Sequence, residues 1–184
     1  ATELRRIPGL GFVGTISVSF EPGAITAAFS PFEFAGNTKV VHPDFYAHRI
    51  RIADVTTGAV PSLVSANNPR GVAVTPDGTK AVVAHFLTAR TVTVVDVPGQ
   101  AIVKTINTGV DLDGLIAINP GGTKAVVAVQ NACRVVNLVT DVVSGALNTA
   151  SVNQLLTTAN GSYALAVGFR GALIDYASET IVRE

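Results

Sequence analysis

The sequence has one cysteine, no methionine, no tryptophan and few charged residues. Charged side chains make up 14% of the 184 residues, and 13 basic residues balance 13 acidic ones to give a formal net charge of +0. A neutral chain lacks the positive field that attracts nucleic acid or an anionic membrane, so neither partner is expected. One cysteine excludes an intrachain disulfide and a cysteine-rich zinc site. Cys133 lies in an apolar run, which indicates a small buried hydrophobe rather than a reactive thiol.

Long hydrophobic runs are missing as well, although apolar residues are abundant. Gly, Pro, Asn, Asp or Lys interrupts every apolar stretch before it reaches the roughly 18 residues that a membrane-spanning helix needs. No membrane span is therefore expected. Apolar residues still form 48% of the chain, which predicts one folded domain with a large core.

One segment recurs along the chain. Residues 71–84 (GVAVTPDGTKAVVA) return as residues 114–128 (GLIAINPGGTKAVVA), and looser copies begin near residue 24, with a short insertion at 32–36, and near residue 155. Apolar residues alternate with period two between Gly, Pro, Asn and Asp, and no segment has a helical period. The pattern predicts four-stranded antiparallel meanders of roughly 40 residues, which match the blades of a β-propeller. Such a meander cannot bury both of its faces alone, so the blades are expected to stack.

Other residues recur at fixed places in the repeat. A short polar side chain closes the third strand of every copy, and we expect it to cap the following turn through backbone N–H groups. Lysines at the start of the second strand are expected to be solvated. These recurring positions are Asp54, Asp96, Asn137 and Asp175, and Lys39, Lys80 and Lys124.

The segment PDGTK, followed by an apolar strand and then by VTVVDV, resembles the YVTN-type β-propeller repeat of secreted and surface proteins of bacteria and archaea. Lactonase-like enzymes share that fold. The resemblance implies an all-β propeller of about four four-stranded antiparallel blades in an extracytoplasmic protein that is secreted, periplasmic or at the cell surface. We expect a single domain over residues 1–184, with approximate blades at 23–66, 67–110, 111–152 and 153–184.

The ring has two alternative closures. Residues 12–20 resemble the fourth strand of a blade, and pairing with the last repeat would close a four-bladed ring and cover two exposed edges. Alternatively, the chain is a fragment of a longer propeller, or a homo-oligomer completes a larger ring. The start at Ala1, without methionine, fits a processed product or a fragment.

Residues that break the repeat are the better candidates for function. They lie in the loops between blades and between second and third strands, which in propellers of this family share one face around the central channel. Aromatic residues in these loops would stack on a ligand ring or pack between blades. The aromatic residues are Phe45, Tyr46, Phe86 and Phe169, and the predicted ligand-binding residues are His85, Phe86, Asp111, Asp113, Asn131, Arg170 and Arg70.

Two groups of residues in these loops are candidate metal sites, although residues of these types are also common in loops that bind no metal. Asp111 and Asp113, with His85 from the neighbouring blade, would make an oxygen-rich cation site or an acid/base pair. The second candidate group contains His42, Asp44 and His48. No motif fixes the spacing that a defined ligand set has.

These features favour a non-enzymatic scaffold that binds a protein, a glycan or a small molecule on its loop face. The first alternative is a metal-assisted, lactonase-like hydrolase, in which a divalent cation polarises a carbonyl and activates water. The second is a structural module that associates with itself. The sequence does not decide whether the protein is an enzyme. It favours a protein without enzyme activity, because no linear catalytic motif occurs. No cofactor is expected apart from the divalent cation of the hydrolase alternative.

Overall fold

The computed structural model describes residues 33–35, 38–54, 56–60, 62–64 and 67–183. These residues form strands, turns and loops and contain no helix. No membrane-crossing helix therefore occurs in this part of the chain. The predicted strands at 12–20 and 24–31, and with them the proposed latch, lie outside the described residues.

Fifteen described strands form four antiparallel sheets, and strands that are consecutive in the chain are neighbours in the sheet. Sheet 1 contains β1 (Glu33–Ala35), β2 (Lys39–Asp44), β3 (Arg49–Asp54) and β4 (Ser62–Val64). Sheet 2 contains β5 (Pro69–Val74), β6 (Lys80–His85), β7 (Thr91–Asp96) and β8 (Ala101–Asn107). Sheet 3 contains β9 (Leu112–Ile118), β10 (Lys124–Val129) and β11 (Ala132–Asn137). Sheet 4 contains β12 (Val152–Thr157), β13 (Tyr163–Gly168), β14 (Ala172–Asp175) and β15 (Thr180–Arg183).

The sheets stack face to face in chain order. We call the face of each sheet that lies toward the preceding sheet its leading face, and the opposite face its trailing face. In sheet 2, Val83 and Val95 pack toward sheet 1, whereas Val82 and Val94 pack toward sheet 3. Alternate residues of these strands point to opposite faces, and both faces of the sheet are buried. This burial explains the low charge content. The architecture is a propeller-like all-β fold, as predicted.

Sheets 3 and 4 pack face to face in the same way. Val126 and Val135, on the trailing face of sheet 3, pack with Ala164 and Ile174 of sheet 4. Cys133 belongs to this cluster and is fully buried, as predicted. Burial raises the pKa of its thiol to about 11, with the nearby Asp113 carboxylate a smaller contribution in the same direction.

Sheet 3 differs from the expected four-stranded blade. Residues 138–151 run beside β11 without forming a regular strand, and they make two isolated bridges, Val136 with Val143 and Cys133 with Leu147. Between these bridges, the Ser144 hydroxyl accepts a hydrogen bond from the Val135 N–H at 2.8 Å. Because a side chain replaces a backbone acceptor there, the edge of β11 is satisfied without a fourth strand.

Two further segments differ from the sequence-based expectation. Residues 33–35, which lie in the expected insertion, form β1 and pair with β2. Thr180–Arg183 pair with β14 and occupy the fourth-strand position of sheet 4, which the proposed latch would have filled. A tight turn reverses the chain there, since the Glu179 N–H donates to the Asp175 carbonyl at 2.9 Å and Glu179 has a φ of 57°.

The predicted caps after the third strands are present at three of the four positions. Asp54, Asn137 and Asp175 each accept hydrogen bonds from backbone N–H groups of the following turn, with donor–acceptor distances of 2.6 to 3.1 Å. Asp96 makes no such bond. The lysine expectation is also wrong in one repeat, because Lys124 Nζ bonds the Tyr176 carbonyl at 2.6 Å and so joins sheet 3 to sheet 4.

Candidate functional site

The two ends of each sheet carry different connections. In sheet 2, Pro69 pairs with His85 and Thr91 pairs with Asn107, so the inter-sheet loops and the β6–β7 loop emerge at one end. We call this end the loop face and the opposite end, with the tight β5–β6 and β7–β8 connections, the turn face. The candidate loops therefore share one face, as predicted.

The first strands of sheets 2, 3 and 4, which are β5, β9 and β12, pair irregularly where they reach the loop face. The pairing shifts between Pro69 and Gly71 in β5, between Val127 and Val129 of β10 opposite β9, and between Val152 and Gln154 in β12. Bulges at the rims of sheets redirect side chains away from the regular ladder. In β5 the residue at the bulge is Arg70, one of the predicted ligand-binding residues.

Two glycines let β5 and β9, the first strands of sheets 2 and 3, approach each other closely at this end. A Cβ on Gly71 would lie 2.0 Å from the Gly114 carbonyl oxygen, so β5 and β9 meet there backbone to backbone. A Cβ on Gly114 would lie 2.6 Å from Cδ of Arg70, and Gly114 has a φ of 78°. The space left by the missing side chain of Gly114 is thus occupied by the aliphatic stem of Arg70.

Four side chains from sheets 1 and 2 form a continuous group on the loop face, which we call the aromatic–arginine cluster. Phe45 packs edge to face against Tyr46, with ring centroids 5.2 Å apart, and against Phe86, at 6.2 Å. The Arg70 guanidinium carbon lies 4.0 Å from the centroid of the Phe86 ring. The ring quadrupole attracts the cation and fixes it over Phe86. The Tyr46 side chain is 57% exposed at the outer end of the cluster.

The Arg70 guanidinium has unused hydrogen-bonding capacity within this cluster. In the described part of the chain it has no ion pair and no side-chain hydrogen bond beyond its contact with Phe86. Its planar N–H donors suit a carboxylate or a phosphate, which they bind in a two-pronged fashion. The cluster therefore combines an exposed aromatic surface with a cation that the described residues leave unneutralised.

His85 does not belong to this surface. It is fully buried, its Nε2 lies 2.8 Å from the Thr93 hydroxyl, and its Nδ1 lies 3.1 Å from the Asn67 carbonyl oxygen. The side chain therefore connects β6 to β7 and to the inter-sheet loop. Its ring is therefore buried and not exposed on the loop face.

Asp111 and Asp113 have separate surroundings. Asp111 accepts a hydrogen bond from Nε of Arg90 at 2.5 Å, and both side chains are about half exposed. Asp113 is half-buried, and its charge is a minor cause of the raised pKa of the Cys133 thiol. No sequence pattern indicates Arg90, because an arginine in a variable loop has no fixed spacing from its partner.

His42, Asp44 and His48 are not brought together as a metal site either. Asp44 is buried, and its carboxylate accepts from Arg51 Nε at 2.9 Å and from the Ala47 N–H at 3.0 Å. His48 Nδ1 accepts from the Asn68 N–H at 3.2 Å. Nowhere in the described ranges do three His, Cys, Asp or Glu side chains form a group able to bind a metal ion.

The remaining candidates lie on the loops of sheets 3 and 4. Asn131 is exposed in the two-residue turn between β10 and β11, with a φ of 57° that asparagine tolerates. Arg170 is exposed beside Phe169, whose side chain is 88% exposed. Neither residue contacts the aromatic–arginine cluster through any described interaction.

Comparisons with known proteins support the fold. No protein-family model matches the chain, and no curated protein matches it. Among solved structures, the chain is similar to hydrazine synthase of Kuenenia stuttgartiensis, with a TM-score of 0.70 and 22% sequence identity. The match covers 90% of this chain and 52% of that one, so the chain spans about half the length of the similar structure. At this identity the likeness concerns the fold alone, and it agrees with a propeller-like all-β protein.

Proposed function

We propose that the chain is a non-enzymatic propeller scaffold of the YVTN type that acts outside the cytoplasm and binds a ligand at the aromatic–arginine cluster. The observation that carries the proposal is the Arg70 cation, which no described residue neutralises and which lies over Phe86, continuous with the exposed ring of Tyr46. Exposed aromatic rings and free arginine donors are typical of binding surfaces.

The ligand that fits this combination is an acidic glycan. The apolar face of a sugar ring stacks on an exposed aromatic side chain such as Tyr46, and a carboxylate on a neighbouring sugar pairs with the Arg70 guanidinium. The rigid sheets beneath the cluster hold both groups in place, which lowers the entropy lost on binding. The hydrolase alternative has no comparable support, since Asp111 is paired with Arg90 and Asp44 with Arg51.

The test is calorimetric titration with an oligogalacturonate, a chain of uronic acid sugars. Tyr46→Ala and Arg70→Gln are each expected to weaken binding about tenfold or more, and Arg70→Lys to restore only part of the loss because lysine lacks the two-pronged geometry. Binding is also expected to weaken as salt is added.

The matched controls are Phe169→Ala and Arg170→Gln, which remove an exposed ring and an exposed cation from the loops of sheet 4. Both are expected to leave the affinity unchanged. Equal losses in the controls, or wild-type affinity in Tyr46→Ala and Arg70→Gln, would contradict the assignment of the site.

A further inference from the structure

One peptide group of the loop between sheets 1 and 2 lies between two histidine rings. The peptide that joins Asn67 to Asn68 directs its carbonyl oxygen to Nδ1 of His85, at 3.1 Å, and its N–H to Nδ1 of His48, at 3.2 Å. His48 belongs to the turn between β2 and β3, so this peptide connects sheet 1 to sheet 2 beside the aromatic–arginine cluster. The two hydrogen bonds hold the start of the segment that leads to Arg70.

The two rings have opposite roles in these bonds. A carbonyl oxygen only accepts, so Nδ1 of His85 carries a proton and donates it. A backbone N–H only donates, so Nδ1 of His48 is unprotonated and accepts. A proton on Nδ1 of His48 would set two donors against each other and break the bond, whereas a further proton on His85 would leave its Nδ1–H in place. His48 is exposed and His85 is fully buried, so the ring whose bond protonation breaks is the one that water reaches.

Asn68 transmits the effect of this bond to the cluster. Its carbonyl oxygen accepts the Phe86 N–H at 2.7 Å, and Arg70 follows two residues later at the bulge of β5. Its backbone has a φ of 59°, in the left-handed region, which persists only where surrounding contacts hold it. His48 itself follows the two aromatic residues of sheet 1 in the same turn. The bond between His48 and Asn68 therefore joins the two halves of the cluster.

Several charged and titratable groups lie in the elements that meet here. The Asp44 carboxylate is buried and bonds Arg51 Nε and the Ala47 N–H. It is thus committed to Arg51 and is not available to replace Asn68 as the partner of a protonated His48. The other groups are His42, Tyr46 and Arg49 on sheet 1, and Arg70 and His85 on sheet 2.

We propose that this bond is a pH switch for the aromatic–arginine cluster, with His48 as a positioning residue. Histidine changes its charge between pH 5 and 8, so the bond is present above this range and is lost as the pH falls through it. Asn68 is then free to leave its left-handed conformation, which displaces Phe86 and Arg70. The effect on binding rests on the proposed function: a ligand bound at neutral pH is released on acidification.

Protonation also has an opposite effect, because it adds a positive charge beside a site for an acidic glycan. Salt weakens the attraction of an exposed charge, and the Debye length is roughly 6 Å at about 0.3 M salt. The lost hydrogen bond is not restored by salt. At this salt concentration we expect the loss to dominate and the affinity to fall about threefold from about pH 7.5 to about pH 5.5, as for one hydrogen bond. The uronate carboxylates stay ionised over this range, since carboxyl groups titrate near about pH 4.

The experiment is calorimetric titration with the oligogalacturonate at both pH values in about 0.3 M salt. The matched variant is His48→Asn, because asparagine tolerates the φ of 53° at this position and offers an acceptor oxygen that does not titrate. Its affinity is expected to be the same at both pH values and close to that of the wild type at the higher pH. His42→Asn removes a different histidine of sheet 1 and is expected to keep the loss of affinity at the lower pH.

A second measurement needs no ligand and separates this inference from the proposed function. In ¹H–¹⁵N NMR spectra of the free protein, the Asn68 amide signal is expected to titrate together with the His48 ring and to stay in place in His48→Asn. If the wild type does not bind the oligogalacturonate at either pH, the proposed function fails and these spectra alone decide whether the bond responds to pH.

Four results would overturn the proposal. They are an Asn68 amide signal that does not move with the titration of His48, wild-type binding that is equal or stronger at the lower pH, a wild-type pH dependence in His48→Asn, and the loss of that dependence in His42→Asn.

Discussion

The turn face and the loop face of the sheets are made from different kinds of residue. On the turn face, short polar side chains recur from sheet to sheet and bond the backbone of their own turns, as Asn119 does with the N–H groups of Thr123 and Lys124 at 2.9 Å. On the loop face, the side chains differ from sheet to sheet and contact residues distant in sequence, as Arg70 does with Phe86.

This contrast separates the residues that stabilise the fold from those expected to bind a ligand. A turn that bonds itself needs no partner, so its residues recur wherever the turn recurs. A loop whose side chains reach another sheet has no such constraint and is free to vary. Substitutions on the turn face should therefore change stability without changing binding, and those in the aromatic–arginine cluster should do the reverse.

The largest expected effect on stability comes from Gly71, which lies on the loop face and is therefore an exception to this separation. Gly71→Ala places a Cβ against the Gly114 carbonyl oxygen, and the overpacking is expected to lower the free energy of unfolding by about 3 kcal/mol. Chemical denaturation measures the change. Gly58→Ala is the control, because a Cβ there meets nothing within 4 Å and only its φ of 71° opposes the change, at a cost of about 1 kcal/mol. Equal losses in the two variants would mean that the β5–β9 approach has no special role.

A smaller effect is expected on the turn face, where sheet 4 is tied to sheet 3. The Thr157 hydroxyl donates to the Ile118 carbonyl at 2.7 Å and lies 2.9 Å from the Tyr176 hydroxyl. Thr157→Val removes this hydroxyl, so the Ile118 carbonyl and the Tyr176 hydroxyl each lose a hydrogen-bond partner. The variant is expected to lower the free energy of unfolding by about 1 to 2 kcal/mol. Tyr176→Phe keeps the bond to Ile118 and should cost less. Denaturation of both variants checks the order, and a greater loss in Tyr176→Phe would contradict it.

The smallest effect is expected in the pH dependence of stability. The Thr56 hydroxyl and the N–H groups of Thr56 and Thr57 bond the Asp54 carboxylate and lower its pKa from 3.8 to about 2. Because the pKa is lower in the folded state, this stabilisation is present above pH 3.8 and is lost as the pH falls toward about 2.

Asp54→Asn removes the titrating group and keeps the acceptor oxygen, and Asn137 shows that an amide makes the same cap. The variant is therefore expected to lose less stability than the wild type between pH 4 and pH 2, as measured by the urea midpoint at each pH. If the urea midpoint of the variant falls with pH as steeply as that of the wild type, Asp54 does not contribute to acid unfolding.

Much of the fold could be predicted from the sequence, because it rests on local rules. Period-two alternation predicts strands, and the repeat of residues 71–84 predicts the successive sheets. The exceptions have local causes that a repeat pattern does not contain. The Ser144 hydroxyl replaces a backbone acceptor beside β11, and the turn at Glu179 supplies sheet 4 with its own fourth strand.

The candidate site was only partly predictable. The loops stand out in the sequence because they break the repeat, and Arg70 and Phe86 are among the predicted ligand-binding residues. Their contact depends on the bulge in β5 and on the space above Gly114, which involve different sheets. His85 was expected to bind a ligand from the loop face, and the sequence does not show that its ring is buried between Thr93 and Asn67.

Local sequence is enough to specify the strands, the self-bonding turns and the need to bury both faces of each sheet, since these depend on neighbours within a few residues. Only the stacking of the sheets determines which loop side chains meet and which sheet face has no described sheet packed on it. Arg70 reaches Phe86 and Asp111 pairs with Arg90, because stacking brings together residues that are distant in the chain. Leu156 of sheet 4 stays exposed, because no described sheet packs on its face.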